Sequence, residues 1–217
     1  MALKTFLETV NDVLIRLREN EVTAVNDTAY SKLISKYVVD AQRQVEDSYN
    51  WNALSNTLTM VTVPNLFNGV LVGSGVRFRL LDVIDDTNDN ILAYRSSKEM
   101  NDLFLTNRTT GKPQYYNFNG VSPEGDTQVD LYPVPDGAYT IRFNIIQPQD
   151  PLQFDADTLL VPAEPVIFLA FAKALAERGE DGGMQSSEAY ALYQQSLSDH
   201  ISNESNLFQE EFIWVNT

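Results

Sequence analysis

Apolar residues recur at helical spacing towards both ends of the chain and at every second position through its middle. Phe6, Leu7, Val10, Val13, Leu14 and Leu17 share one face of a helix from about residue 6 to 18, and Thr5-x-x-Glu8 ahead of them is a capping box. After the polar break Glu19-Asn20-Glu21, Asn26-Asp27 is placed to cap a second helix with the stripe Tyr30, Leu33, Ile34, Tyr37, Val38, Ala41 and Val45. Trp51 follows at its end, large enough to wedge between a helical layer and what comes next. From residue 54 the period becomes two. Strands are expected over residues 57–63, 76–84, 91–95, 114–119, 128–132 and 139–146, separated by turns rich in Gly, Asn and Asp. Ser96-x-x-Glu99 opens a short helix through Met100, Leu103 and Phe104, suited to covering a sheet edge or plugging an open end. Helical spacing returns at Pro165, read as an N1 proline, and runs through Phe168, Leu169, Phe171, Ala172 and Leu175 to Gly179 at C′. A last helix starts near Ser187, with Tyr190, Tyr193, Leu197 and Ile201 on one side.

These elements predict an α+β chain, a helical bundle built from both chain ends with an inserted antiparallel β-sandwich or barrel. The early and late helical stripes are each too narrow to be stable alone, so they should pack together. The expected layout is residues 1–52 and 151–206 as the two parts of a helical layer, 53–150 as the inserted β-domain, and 207–217 as a C-terminal docking arm. Within the β-domain, Leu131 to Phe143 reads as a β-hairpin. Pro133 and Pro135 end the first strand because neither can donate to a ladder, Pro-Asp-Gly favours a reversal, and Tyr139, Ile141 and Phe143 then alternate with Thr140, Arg142 and Asn144.

Composition narrows the function. The apolar fraction of 43% is that of a globular protein; no run approaches the roughly 18 apolar residues of a membrane span, and the start of the chain is no secretory signal. The chain reads as soluble and not exported, without a membrane partner. It has no cysteine, which excludes disulfides, thiolate metal sites and a cysteine nucleophile. Its formal net charge is -15, and residues 151–217 hold two basic against eleven acidic groups, with no Lys or Arg beyond Arg178. A chain so charged cannot grip phosphates by counterion release, so specific nucleic-acid binding is not expected. The acidity serves solubility, or a surface past which DNA slides without sticking.

Candidate chemistry is sparse. His200, the one histidine, sits on the polar flank of the last helix beside Asp199, and no G-x-S-x-G elbow accompanies it. Gly69 to Gly75 has the glycines of a phosphate loop without the Gly-Lys-Ser/Thr ending, and reads as a flexible loop. Asp85, Thr87 and Asp89 follow the odd-position spacing of a calcium loop. Asn90 stands where that loop needs glycine and Ser96 where it needs glutamate, so an Asn/Asp-rich hairpin turn is the preferred reading. No catalytic residue, cofactor or metal ligand is assigned, and no enzyme activity is expected.

The Leu131 to Phe143 segment, Gly111-Lys112-Pro113-Gln114-Tyr115-Tyr116 before it, Val161-Pro162-Ala163-Glu164-Pro165 opening a late helix, and the N-terminal helix pair ending near Trp51 resemble the head-to-tail adaptors of tailed bacteriophages. The resemblance is to the tail tubular protein A class of short-tailed phages. It implies a structural protein of the virion neck or tail, assembled in the host cytoplasm. It implies also a twelvefold ring beneath the portal protein that continues the DNA channel towards a tail nozzle or tube protein, with tail fibres as further partners. DNA would pass through without specific binding. On this reading Glu177, Glu180 and Asp181 are the candidate channel-facing acids. Two alternatives from other classes are a tail-associated glycan-binding or fibre-docking module using Tyr115, Tyr116 and Phe118 as exposed aromatics, and a small hydrolase.

The C-terminal arm is the remaining feature. Leu207, Phe208, Phe212, Ile213 and Trp214 are large apolar residues in an otherwise acidic segment, and such residues gain nothing by exposure. They are expected to dock on the portal or on a neighbouring subunit, with a tuck against the chain's own domain as the alternative.

Overall fold

A computed structural model of the chain describes residues 3–179 and 183–207. Two compact units emerge: residues 1–54 with 149–217 form one, and residues 55–148 the other. Helices lie towards both ends of the chain, with the strands inserted between them.

In the helical unit, α1 (Phe6–Arg16) begins at the expected capping box, Thr5 and Glu8 each accepting from the other's backbone N–H. Helix α2 (Ala29–Ser48) starts one residue beyond the expected cap. Thr28 is its N-cap, in a reciprocal box with Ser31, while Asp27 turns back to accept from the amide and hydroxyl of Thr23. Three candidate caps in succession, Asn26, Asp27 and Thr28, carry similar preferences, so tertiary fit selects among them. Trp51 is fully buried and donates from Nε1 to the Val45 carbonyl at 2.7 Å.

Beyond the inserted unit, residues 149–162 run back along the N-terminal segment. Phe6 donates to the Asp157 carbonyl, Leu159 donates to that of Lys4, and the Asp155 carboxylate accepts from Val25 N–H. Helix α3 (Ser97–Thr106) belongs to the other unit. Helix α4 (Ala163–Arg178) follows, with Pro165 its third residue rather than its first; all the first-turn amides lack intrahelical acceptors, so proline is tolerated across that turn. Gly179 ends it at φ +64°, with its N–H on the Leu175 carbonyl. Apolar residues surround α4, and Pro165, Val166, Ile167, Leu169, Ala170, Ala172 and Ala174 are buried. It packs against α1, α2 and the last helix, α5 (Met184–Ser205), which starts three residues earlier than expected.

The inserted unit is a sandwich of two four-stranded sheets. One has the order β1 (Ser55–Val61), β10 (Thr140–Ile146), β3 (Arg79–Asp85), β4 (Asn90–Ile91), with every pairing antiparallel. The other has β2 (Asn68–Leu71), β8 (Thr127–Tyr132), β7 (Tyr115–Val121), β5 (Ala93–Tyr94), and its last pairing is parallel. A further parallel pair joins β6 (Thr110–Gly111) to β9 (Val134–Pro135). Met60, Val83, Ile141, Phe143 and Ile145 from the first sheet meet Leu71, Tyr116, Val129 and Leu131 from the second in one core. Helix α3 (Ser97–Thr106) lies over the outer face of the second sheet, its Phe104 edge-on to Tyr132 and its Ser97 hydroxyl bonded to Asn117.

Two expectations fail here for one reason. Leu131 to Phe143 is not a hairpin, because β8 and β10 belong to opposite sheets. Likewise the single strand expected at 91–95 divides at the buried Leu92, β4 joining the first sheet and β5 the second. Alternation reports which side of a strand faces the core, and that side is the same whether two strands pair edge to edge or face each other across a sandwich. At the first crossing the chain leaves the second sheet after Tyr132, and Val134 and Pro135 pair with β6 instead, Val134 donating to the Thr109 carbonyl. A strand unannounced by the pattern is β2, inside the glycine-rich stretch. Gly69 leaves room for Met60: a Cβ there would stand 2.5 Å from Met60 Sδ, so any side chain would require the Met60 side chain to shift. The end of that stretch is a turn whose Gly73 and Gly75 amides donate to the Asp126 carboxylate.

Candidate interaction surfaces

The sequence patterns that make α2 and α5 leave an exposed flank on each helix. On α2 the buried positions are Ser31, Ile34, Ser35, Val38, Ala41, Gln42, Val45 and Glu46, and Lys32, Lys36 and Arg43 are exposed along one flank with half-buried Val39 between them. None of these three cations makes an ion pair among the described residues. Another side of α2 faces α4, where Tyr30 Oη accepts from Arg178 Nε at 2.9 Å, and exposed Asp40 and Asp47 stand beside the cations, one turn from Lys36 and Arg43 respectively.

Helix α5 is the longest in the described structure, 22 residues, yet buries only Ala189, Tyr193, Ser196 and Leu197. Glu188, Leu192, Gln195 and Asp199 line one exposed flank, and the helix contains no Lys or Arg. Of the two cations of α4, Arg178 is bonded to its neighbours and Lys173 is half-buried. Arg178 donates to Tyr30, to the Leu17 carbonyl and to Glu19 at 2.5 Å, and its guanidinium lies over the Tyr30 ring. Burial draws the Lys173 ammonium below the usual lysine range, partly offset by Asp40. The exposed surface of the α4–α5 pair is therefore acidic and neutral among the described residues.

The sequence-derived candidates distribute unevenly. Glu177 is exposed on the last turn of α4, whereas Glu180 and Asp181 lie outside the described residues. Leu207 follows α5 and is 69% exposed; Phe208, Phe212, Ile213 and Trp214 lie outside the described residues.

A cleft of ≈ 570 Å³ opens beside the start of α4, lined among others by Arg16, Trp51, Leu160, Pro162, Ile167 and His200. His200 contacts the Ser196 carbonyl through Nδ1 at 2.8 Å and stands 4.0 Å from Glu164 through Nε2. The Ser196 hydroxyl is buried and has no hydrogen-bond partner among the described residues, so serine and histidine are not linked as a nucleophile and base must be.

In the sandwich, the three aromatics considered as a platform are not free. Tyr116 is 8% exposed and belongs to the core, and Phe118 packs edge-on against Phe78. Tyr115 has the Arg95 guanidinium 4.7 Å from its ring centroid and stacks with Tyr132. Strand alternation turns Tyr116 and Phe118 inward and Tyr115 towards the α3 side, so an exposed stacking surface is not formed. The Asp85 carboxylate, wholly buried, accepts from the amides of Thr87 and Asn88 and from Asn88 Nδ2, closing the β3–β4 turn. Among the described residues no three carboxylates or histidines gather as a metal would require.

The α2 cations and the α5 acids are absent from the sequence-derived candidates. Their signal was charge at helical spacing, Lys32, Lys36 and Arg43 falling at i, i+4 and i+11. Compared with known families, residues 3–209 match the profile described as SU10 adaptor protein. No curated protein matches the chain.

Proposed function

The chain belongs to the SU10 adaptor protein family, and from that premise we propose that copies of it form a ring beneath the portal of a phage capsid and continue the DNA channel towards the tail. Family membership makes it a structural adaptor of a phage virion, a component of the neck or tail. The portal contact, a twelvefold ring, and the short-tailed type of particle are parts of the proposal.

The observation that carries the channel reading is the character of the α4–α5 surface. A wall that conducts DNA must not hold it, and every cation offered to a phosphate would release counterions and pin the duplex. Here Arg178 is tied to Tyr30 and Glu19, Lys173 is half-buried, and Glu177 stands exposed where α4 ends. The connection from α4 to α5 adds Glu180 and Asp181. We place this tip at the channel.

The test is twofold. The purified protein should show no binding to linear duplex DNA by fluorescence anisotropy at physiological salt, and measurable affinity would remove the channel role. Native mass spectrometry of the protein with its own portal should show a higher complex, and its absence at every ratio would end the connector reading. The arm from Leu207 to Trp214 is proposed as the portal or neighbour anchor. Deleting residues 207–217 should abolish portal attachment while leaving circular dichroism and thermal unfolding nearly unchanged; an unfolded product would assign the arm to its own core.

A further inference from the structure

We infer that the flank Lys32, Lys36, Val39 and Arg43 of one copy docks on the flank Glu188, Leu192, Gln195 and Asp199 of the next, making a head-to-tail contact between helical units. This rests on the ring reading and names its contact surfaces. The occupant of each flank is a second copy of this chain, because each offers what the other lacks. The α2 flank exposes three cations with no ion-pair partner among the described residues. The α5 flank exposes two acids on a helix without any cation. Leu192, 48% exposed, gives the acidic flank an apolar centre, and Val39 with the Lys36 stem gives the basic one its counterpart.

The order of helices supports the pairing. Helix α4 lies between α2 and α5, packing against both, while those two make no comparable contact with each other. The cationic row of α2 lies on the side away from Tyr30, which meets α4. Asp40, one turn from Lys36, and Asp47, one turn from Arg43, border that row. The unit therefore has one edge on which three cations outnumber two bordering acids and one edge that is acidic, and a contact that joins one to the other is heterologous, closing into a ring when its rotation closes.

Direction and register agree as well. Arg178 at the end of α4 meets Tyr30 at the start of α2, so those helices run antiparallel. His200 near the end of α5 approaches Glu164 at the start of α4, so that pair is antiparallel too. Helices α2 and α5 consequently run the same way, and neighbours in a many-membered ring differ by only a small rotation, so α5 of one copy meets α2 of the next in parallel. Glu188 then faces Lys32 and Asp199 faces Arg43. Each pair of charges is separated by the same helical interval, about 16 Å along the axis, which lets both ion pairs form together around Leu192.

The test uses the full chain, whose lack of cysteine makes an introduced pair unambiguous. A Lys32→Cys, Glu188→Cys double variant, oxidised at high concentration alone and with the portal, should give a ladder of covalent oligomers, while each single-cysteine variant stops at dimers. Separately, Lys32→Glu with Arg43→Glu, and Glu188→Lys with Asp199→Lys, should each stay folded by circular dichroism and weaken self-association roughly tenfold or more. Mixing the two variants, or combining all four changes, should restore it. Rings seen by native mass spectrometry without a ladder, or unaffected by either reversal, would overturn the contact and leave the ring reading standing. Absence of any higher complex in the unmodified protein, with portal present, would overturn both.

Discussion

The two units hide apolar surface in different ways. In the sandwich, each sheet supplies the cover for the other, and Phe143, Ile141 and Leu131 meet in a core that is complete within residues 55–148. In the helical unit only α4 is buried nearly all round, while α2 and α5 spend narrow stripes on it and leave charged flanks outside. Charge divides the same way. Residues 55–148 carry seven basic and ten acidic groups, and the rest of the chain carries eight and twenty. The helical unit offers charged flanks on helices with partly buried faces, whereas the sandwich, its core closed, exposes scattered apolar residues such as Val63, Val72, Val76, Ile91 and Leu105. Charge-directed assembly should therefore be read in the helices, and fold stability probed in both units.

The largest effects should come from the two aromatic anchors, one per unit. Phe143→Ala and Trp51→Ala each remove a fully buried ring and should cost about 3–5 kcal/mol in urea unfolding. The comparison sharpens if Phe143→Ala lowers the strand signal first while helical ellipticity persists, and it breaks if both signals are lost together.

Next comes the β3–β4 turn. Asp85→Ala strips the acceptor from two backbone amides and the Asn88 side chain, all beside a buried carboxylate, and should cost about 1–3 kcal/mol in thermal unfolding. An unchanged midpoint would show that the turn is held by its flanking strands alone.

On the helical side, Thr28→Ala removes the cap of α2, and about 0.5–2 kcal/mol should be lost with it. Asn26→Ala should be nearly silent. The reverse ranking would return the cap to the position the sequence pattern favoured.

The smallest effect is one of pH. Burial raises the Asp130 carboxyl above the usual carboxylate range, against a partly compensating hydrogen bond from Asn119. Its protonated form is favoured by the fold, so its contribution is full below the ordinary aspartate value and is lost as pH rises through the raised one. Asp130→Asn should raise the unfolding midpoint at pH 7 and leave it unchanged near pH 3. A gain of equal size at both would mean that packing, and not ionisation, is responsible.

Legibility followed the range of the interactions. The capping boxes at Thr5 and Ser96, the left-handed Gly179 and the faces of α1, α2 and β10 were all readable, because each depends on residues within a turn or two. The acidity around Glu177, Glu180 and Asp181 was readable as well, since charge needs no fold to be counted. What escaped was relational. Tyr115 and Tyr116 look alike in the chain, yet one lies under Arg95 and the other in the core. The cations of α2 and the acids of α5 are ordinary surface residues until helix order sets them on opposite edges.

The sequence by itself determined where the helices and the longer strands lie, which side of each is dry, and how charge is apportioned along the chain, because those follow from local sterics and periodicity. Only the tertiary structure decided that β8 and β10 cross between sheets instead of pairing, that a divided strand serves both sheets, and that α4 lies between α2 and α5. Those choices depend on which dry surface meets which across long stretches of chain, and many pairings satisfy the same alternation until the whole core is packed.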